Sequence, residues 1–171
     1  MKFSALLCLC VPALPAASLL VPAAIAQTKV GDQFPALGSA GLTGAALPDT
    51  SGKVVLVDFC ASWCAPCHAS FPAYTKLQSE YGAKGLVIVA VSVDIHPSDY
   101  AAFVKKLHPG FVVVNDAGNN LVAAVQPGAM PTSYLLDRSG KVVAVHRGYH
   151  SGSTEKELRQ DLDRALSPSA E

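Results

Sequence analysis

The chain has 171 residues, a length that suits one domain, and its 13 Lys and Arg balance 13 Asp and Glu. With no basic stripe or polybasic run, it offers no electrostatic footprint for nucleic acid and no charge-driven membrane-surface site. Of its five cysteines, Cys8 and Cys10 lie in an N-terminal apolar stretch. Cys60, Cys64 and Cys67 remain, too few for a framework of paired bridges.

The chain begins with a basic residue, Lys2, followed by an uncharged apolar run from Phe3 to Leu20 and by Ala24-Ile25-Ala26. This is the pattern of a secretory signal peptide, with cleavage expected before Gln27. Residues 1–26 are then the signal peptide and residues 27–171 one domain. A retained anchor is the alternative, because Phe3 to Ala26 is long enough to span a bilayer; Pro12, Pro15 and Pro22 favour the cleaved form. Without Lys2 the mature chain carries 12 basic and 13 acidic residues. An exported compartment permits disulfides, yet at most one pair is available, which suits a catalytic couple better than a structural one.

Gln27 to Phe34 is a polar lead-in. Gly38 to Gly52, rich in Gly, Thr, Pro and Asp, is expected to form loops around a short hairpin. Val54 to Phe59 is an apolar run of strand length with β-branched residues, the pattern of a buried parallel strand. Phe71, Tyr74, Leu77 and Tyr81 recur at helical spacing and predict a helix from Cys64 to about Tyr81, kinked at Pro72 and ended by Gly82 and Gly85. Leu86 to Val93 is a second buried strand. Ser98 to Leu107 is a helix, opened by Pro97-Ser98 and followed by Pro109-Gly110. Phe111 to Val114 is a short strand and Asn119 to Val125 a short helix. Thr132 to Leu136 and Val142 to His146 are strands joined by the loop Asp137-Arg138-Ser139-Gly140-Lys141. Thr154 to Leu166, with Leu158, Leu162 and Leu166 on one stripe, closes the chain. Strands alternating with helices predict an α/β fold: a central mixed sheet with helices on both faces.

The chemistry concentrates in Trp63-Cys64-Ala65-Pro66-Cys67. Two thiols separated by two residues can close a small disulfide ring and exchange it with another disulfide. If a strand ends at Phe59 and a helix begins near Cys64, the first sulfur meets the helix dipole and free N–H groups, which stabilise the reactive thiolate. Cys64 should be the more exposed and Cys67 lies one turn on. Pro66 sits at an early helix position, where its missing N–H costs little, and it constrains the loop. Asp58 interrupts a buried apolar strand; an isolated buried carboxylate shifts its pKa upward, which suits proton transfer near neutral pH. A zinc site needs about four ligands, and no second C-x-x-C or matching His pair is present. No metal and no cofactor are expected.

The strand ending in Asp58-Phe59, then Ala61-Ser62-Trp63-Cys64-Ala65-Pro66-Cys67, then Met130-Pro131-Thr132, resembles the thioredoxin fold. Val30-Gly31-Asp32-Gln33-Phe34-Pro35 and Phe71-Pro72 narrow the resemblance to the exported TlpA/ResA-like branch, over about Val30 to Leu166. That branch reduces protein disulfides, often in cytochrome c maturation or copper-site assembly. The resemblance implies Cys64 as the attacking thiol, Cys67 as the resolving thiol and Asp58 as the group that helps deprotonate Cys67. It implies a cis bond before Pro131, a Met130 backbone free to pair with an extended substrate segment, and a Trp63 that flanks the site. It also implies disulfide-bearing protein substrates, a membrane thiol reductant for recycling, and a periplasmic or otherwise exported monomer. Ser70 departs from the family, which often carries Glu there. Cys60 stands where an aromatic residue is common and reads as a buried inert thiol, with a third redox thiol as the alternative.

Cys64-Ala65-Pro66-Cys67-His68 is also a formal c-type haem attachment signature, with His68 as axial ligand. Buried strands on either side of the motif and the Asp58 and Met130-Pro131 pattern disfavour it, leaving His68 as an exposed helix residue near the thiols. A peroxiredoxin-like peroxidase, a relative that shares the fold and a similar N-terminal segment, is another alternative, although its peroxidatic cysteine does not usually sit in Trp-Cys-x-x-Cys; a copper chaperone that uses the dithiol as soft ligands is a third.

Overall fold

Val54–Cys60 forms a strand, β2, in which all seven residues are buried. It can be buried on both faces because it is uncharged except at Asp58 and lies in the interior of a six-stranded sheet of order β1-β4-β3-β2-β5-β6. The structure, a computed structural model, describes residues 27–167; the signal peptide or anchor expected at 1–26 lies outside them. The other strands are β1 (Thr43–Gly44), β3 (Leu86–Ser92), β4 (Val112–Asn115), β5 (Thr132–Leu136) and β6 (Val142–Arg147). The helices are α1 (Ala65–Tyr81), α2 (Pro97–Leu107), α3 (Asn120–Val125) and α4 (Ser153–Leu166). β2, β3 and β4 are parallel neighbours, whereas β5, β6 and β1 join antiparallel. The expected mixed α/β architecture is present.

The pleat of β2 sorts the core into two layers. Val54 and Leu56 pack with Tyr74 and Leu77 of α1 and with Leu158 and Leu162 of α4. Beyond them, Cys60 joins Phe71 of α1 and Phe103 of α2. The alternate residues Val55, Val57 and Phe59 face the other way, onto Phe34, Tyr134 and the α3 residues Leu121 and Val125. Helices therefore cover both faces. Each wholly buried aliphatic side chain contributes about 1.5–3 kcal/mol relative to exposure.

The expected short hairpin between Gly38 and Gly52 does not form. Thr43–Gly44 pairs instead with Val114 and Asn115 at the sheet edge. Gly44 has a φ of 91°, and a Cβ there would run into the Tyr100 ring, whose hydroxyl donates to the Val113 carbonyl at 2.8 Å. A contact between positions so far apart in the chain leaves no local pattern. The Gln27 to Phe34 lead-in is likewise anchored: Phe34 is buried in the core, and Gln33 bridges Lys141 beside β6. Helix α1 continues through Pro72, which lies on its exposed side. Gly82 is the C-cap residue of α1, as expected; a 3-10 turn, Gly82–Lys84, follows and is capped by Gly85 at φ 103°.

Candidate active site

Parallel pairing aligns Cys60 with Ser92 at the ends of β2 and β3, so the loops after both strands emerge side by side. The first of these loops leads into α1 with Cys64 as its N-cap residue and Pro66 in the first turn. The Cys64 sulfur accepts the Cys67 backbone N–H at 3.3 Å. A sulfur at this place replaces the oxygen of an ordinary N-cap residue, and the free N–H groups and dipole there favour negative charge. Cys64 and Cys67 are joined in a disulfide with S–S 2.07 Å. Cys64 is 5% exposed and Cys67 0%. The order of exposure is as expected, although the attacking candidate is itself mostly covered.

Asp58 is buried completely on the α1 side of β2. The Tyr74 hydroxyl donates to its Oδ1 at 3.1 Å, and Oδ2 has no hydrogen-bond partner among the described residues. Burial pushes the carboxyl well above its ordinary range, and the Tyr74 hydrogen bond opposes this only in part. Burial also pushes the Tyr74 phenol well above its usual value, with the nearby Asp58 charge adding to the effect. Among the described residues no cation pairs with this carboxyl.

Cys60 is free and buried. Burial, with the Asp58 and Asp94 charges behind it, drives its thiol pKa well upward, which keeps it in the unreactive protonated form. Ser70 is also buried, and its hydroxyl donates to the Cys67 carbonyl at 2.9 Å. Where the resemblance implies Glu, this chain has a side chain tied back to its own helix.

The Met130–Pro131 peptide bond is cis. Thr132 Oγ1 donates to the Ala129 carbonyl at 2.9 Å, and the Pro131 carbonyl accepts Gly148 N–H at 2.7 Å, so the loop is held from both sides. Met130 packs against the cluster that contains Cys64 and Cys67. Trp63 is 71% exposed, which sets it at the rim and not in the core. Between Trp63 and Met130 lies an open groove of about 460 Å³ whose walls also include Val122, Gln126, Pro127 and Ala129. Sequence reasoning missed the α3 side of this groove, because only the folded sheet brings Val122 and Gln126 next to Trp63 and Met130.

His68 is not the exposed helix residue expected. It is half-buried, its ring meets Phe103 edge-on at 5.0 Å between centroids, and its Nε2 lies 2.7 Å from the Ser62 carbonyl oxygen. With His68 so engaged and Cys67 wholly buried, the two sulfurs and the imidazole do not present the open face that a covalently attached haem needs. Among the described residues no group of three or more His, Cys, Asp and Glu side chains could hold a metal ion.

A cysteine pair at a helix N-cap, packed against a cis-proline loop and preceded by a strand with a buried carboxyl, on this sheet order, defines a protein of the thioredoxin-fold thiol–disulfide oxidoreductase class. The chain belongs to the Redoxin family, whose profile matches residues 29–162. It is 36% identical over 97 residues to the thiol-disulfide oxidoreductase ResA of Bacillus cereus, covering 57% of this chain and 56% of ResA. It thus spans little more than half of that relative. It is also 36% identical over 138 residues to the thioredoxin-like protein YneN of Bacillus subtilis, covering 78% of each chain. Among solved structures, a Chlorobium tepidum protein studied as a candidate thiol:disulfide interchange protein DsbE matches with a TM-score of 0.66 and 38% identity, over 68% of this chain and 82% of that one.

Proposed function

We propose that the chain is an exported thiol–disulfide oxidoreductase that reduces disulfides in other proteins. The observation that carries this reading is the place of Cys64: an N-cap sulfur that already accepts a backbone N–H, joined to a partner that is wholly buried. In the reduced protein the Cys64 thiolate attacks one sulfur of a substrate disulfide and expels the other as a thiolate, which takes up a proton. Cys67 then loses its proton to the Asp58 carboxylate and attacks the Cys64 sulfur, breaking the Cys64–substrate S–S bond and expelling the second substrate sulfur as a thiolate, which takes up a proton. The substrate leaves with two thiols, the Cys64–Cys67 disulfide remains, and Asp58 returns its proton to solvent. A membrane thiol reductant returns the couple to the dithiol form.

The groove between Trp63 and Met130 supports recognition of an extended protein segment, whose backbone can pair beside the cis-proline loop. Pro66, exposed between the cysteines, borders the same face. The reductive direction and a place in cytochrome c maturation or copper-site assembly follow the resemblance to the TlpA/ResA-like branch. Export is supported by the Lys2, apolar run and Ala24-Ile25-Ala26 pattern.

With dithiothreitol as electron donor, the purified protein is expected to accelerate the reduction of insulin disulfides well above the dithiothreitol background. A rate equal to that background contradicts the proposal. Rapid peroxide consumption in the same preparation would favour a peroxidase instead.

A further inference from the structure

Ser62, immediately before Trp63 and Cys64, has each of its polar groups taken by a side chain from another part of the fold. Its N–H donates to the Asp94 carboxylate, at 3.0 Å to Oδ2 and 3.2 Å to Oδ1, and its hydroxyl donates to Oδ1 at 2.8 Å. On the other side, its carbonyl accepts from His68 Nε2 at 2.7 Å. Because a carbonyl only accepts, Nε2 carries the hydrogen. Asp94 follows β3 as Ser62 follows β2, and the Cys60–Ser92 register sets the two opposite each other. Asp94 is 4% exposed and also accepts from Ser92 Oγ at 2.7 Å. It forms no ion pair among the described residues, so hydrogen bonds alone compensate its burial.

The two holding groups come from different elements. Asp94 belongs to the loop between β3 and α2, and His68 to the first turn of α1, where its ring is steadied against Phe103. Pinned between them, Ser62 leaves the following residues little freedom: the Cys64 N–H closes a turn onto the Ala61 carbonyl at 3.1 Å, and the Val93 N–H bonds the Cys60 carbonyl at 2.9 Å. The neighbours of the pinned pair, Trp63 and Ile95, are the two most exposed large apolar side chains of the described residues, at 71% and 66%.

We propose that His68 and Asp94 are positioning residues: they grip Ser62 from opposite sides and thereby hold Cys64 at the N-cap geometry from which it attacks. This rests on the reading of Cys64 as the attacking thiol. His68 acts here as an N–H donor to backbone, and Asp94 as an acceptor from Ser62. Neither touches the reacting sulfurs in the contacts described.

The test is the alkylation rate of the reduced protein by iodoacetamide from pH 5 to 10, followed by mass spectrometry at Cys64; Cys60 and Cys67 are wholly buried and label slowly. His68→Phe keeps the aromatic contact with Phe103 and removes the donor. It is expected to slow Cys64 alkylation at pH 7 roughly fivefold, about the effect of one ordinary hydrogen bond, and to move the pH midpoint upward. His68→Gln, which restores an N–H donor, is expected to recover most of the rate. Asp94→Asn keeps an acceptor and is expected to lose about threefold, Asp94→Ala about tenfold or more. If Asp94→Ala does not fold, the two His68 variants and Asp94→Asn decide. His68→Phe within twofold of wild type and with an unchanged pH profile overturns the proposal. So does an equal loss in His68→Gln and His68→Phe. Wild-type Cys64 no more reactive than free cysteine instead overturns the attacking-thiol reading, and the clamp with it.

Discussion

Replacing Cys64 with serine is expected to reduce insulin turnover to the dithiothreitol background. A serine hydroxyl is not ionised near neutral pH and cannot form the mixed disulfide, so no part of the cycle survives. The companion change at Cys67 gives a different outcome. Cys67→Ser leaves the N-cap sulfur in place but removes the thiol that releases the substrate, so a covalent adduct through Cys64 is expected to accumulate. Mass spectrometry of the protein after mixing with a disulfide peptide reads both variants: no adduct for Cys64→Ser, a stable one for Cys67→Ser. An active Cys64→Ser variant, or an adduct mapped to Cys67, would reverse the roles. The assignment follows the asymmetry of the site, in which Cys64 retains some exposure and Cys67 none.

The second large effect is at Asp58. Its side chain is wholly buried, and burial drives its carboxyl well above the ordinary range. To take the Cys67 proton it must be ionised, so release of the mixed disulfide is expected to speed up as pH rises through that raised pKa. Asp58→Asn removes this base. It is expected to slow release about 100-fold, the scale of one general base, to flatten its pH dependence, and to leave the initial attack by Cys64 nearly unchanged. Stopped-flow measurement of adduct decay checks this, and an unchanged decay rate would remove Asp58 from the mechanism.

The same substitution has the opposite effect on stability. A carboxyl whose pKa is higher in the folded than in the unfolded chain keeps its proton on folding. Its contribution is full below the unfolded value of about 3.9 and is lost as pH rises through the folded pKa. Asparagine has no proton to lose. Asp58→Asn is therefore expected to match the wild type near pH 4 and to melt a few degrees higher near pH 8. A variant that gains stability while losing the release step marks a residue kept for chemistry and not for packing.

Much of this was legible in the residues because the signals were local. The apolar runs of β2 and β3 and the helical spacing of Phe71, Tyr74 and Leu77 depend only on near neighbours, and β5 spans the same Thr132 to Leu136 that its residues predict. Asp58 was visible as one charge in a buried strand. What escaped was what the fold assembles across distance. The two residues of β1 have no hydrophobic period, and their partner is β4. Asp94 carries no signal of its own in the sequence, since only the β2–β3 register places it against Ser62. His68 looked exposed because its spacing from Cys64 does not reveal a ring folded back to a carbonyl. The α3 wall of the groove, Val122 and Gln126, was hidden for the same reason.

The measurement closest to the central claim is the reduction potential of the Cys64–Cys67 couple, equilibrated against glutathione or dithiothreitol at pH 7. A protein that reduces disulfides in other proteins is expected to show a value near or below roughly −250 mV, in the range of thioredoxin. A value near about −120 mV, that of strong disulfide donors, would contradict the account and make this protein one that inserts disulfides.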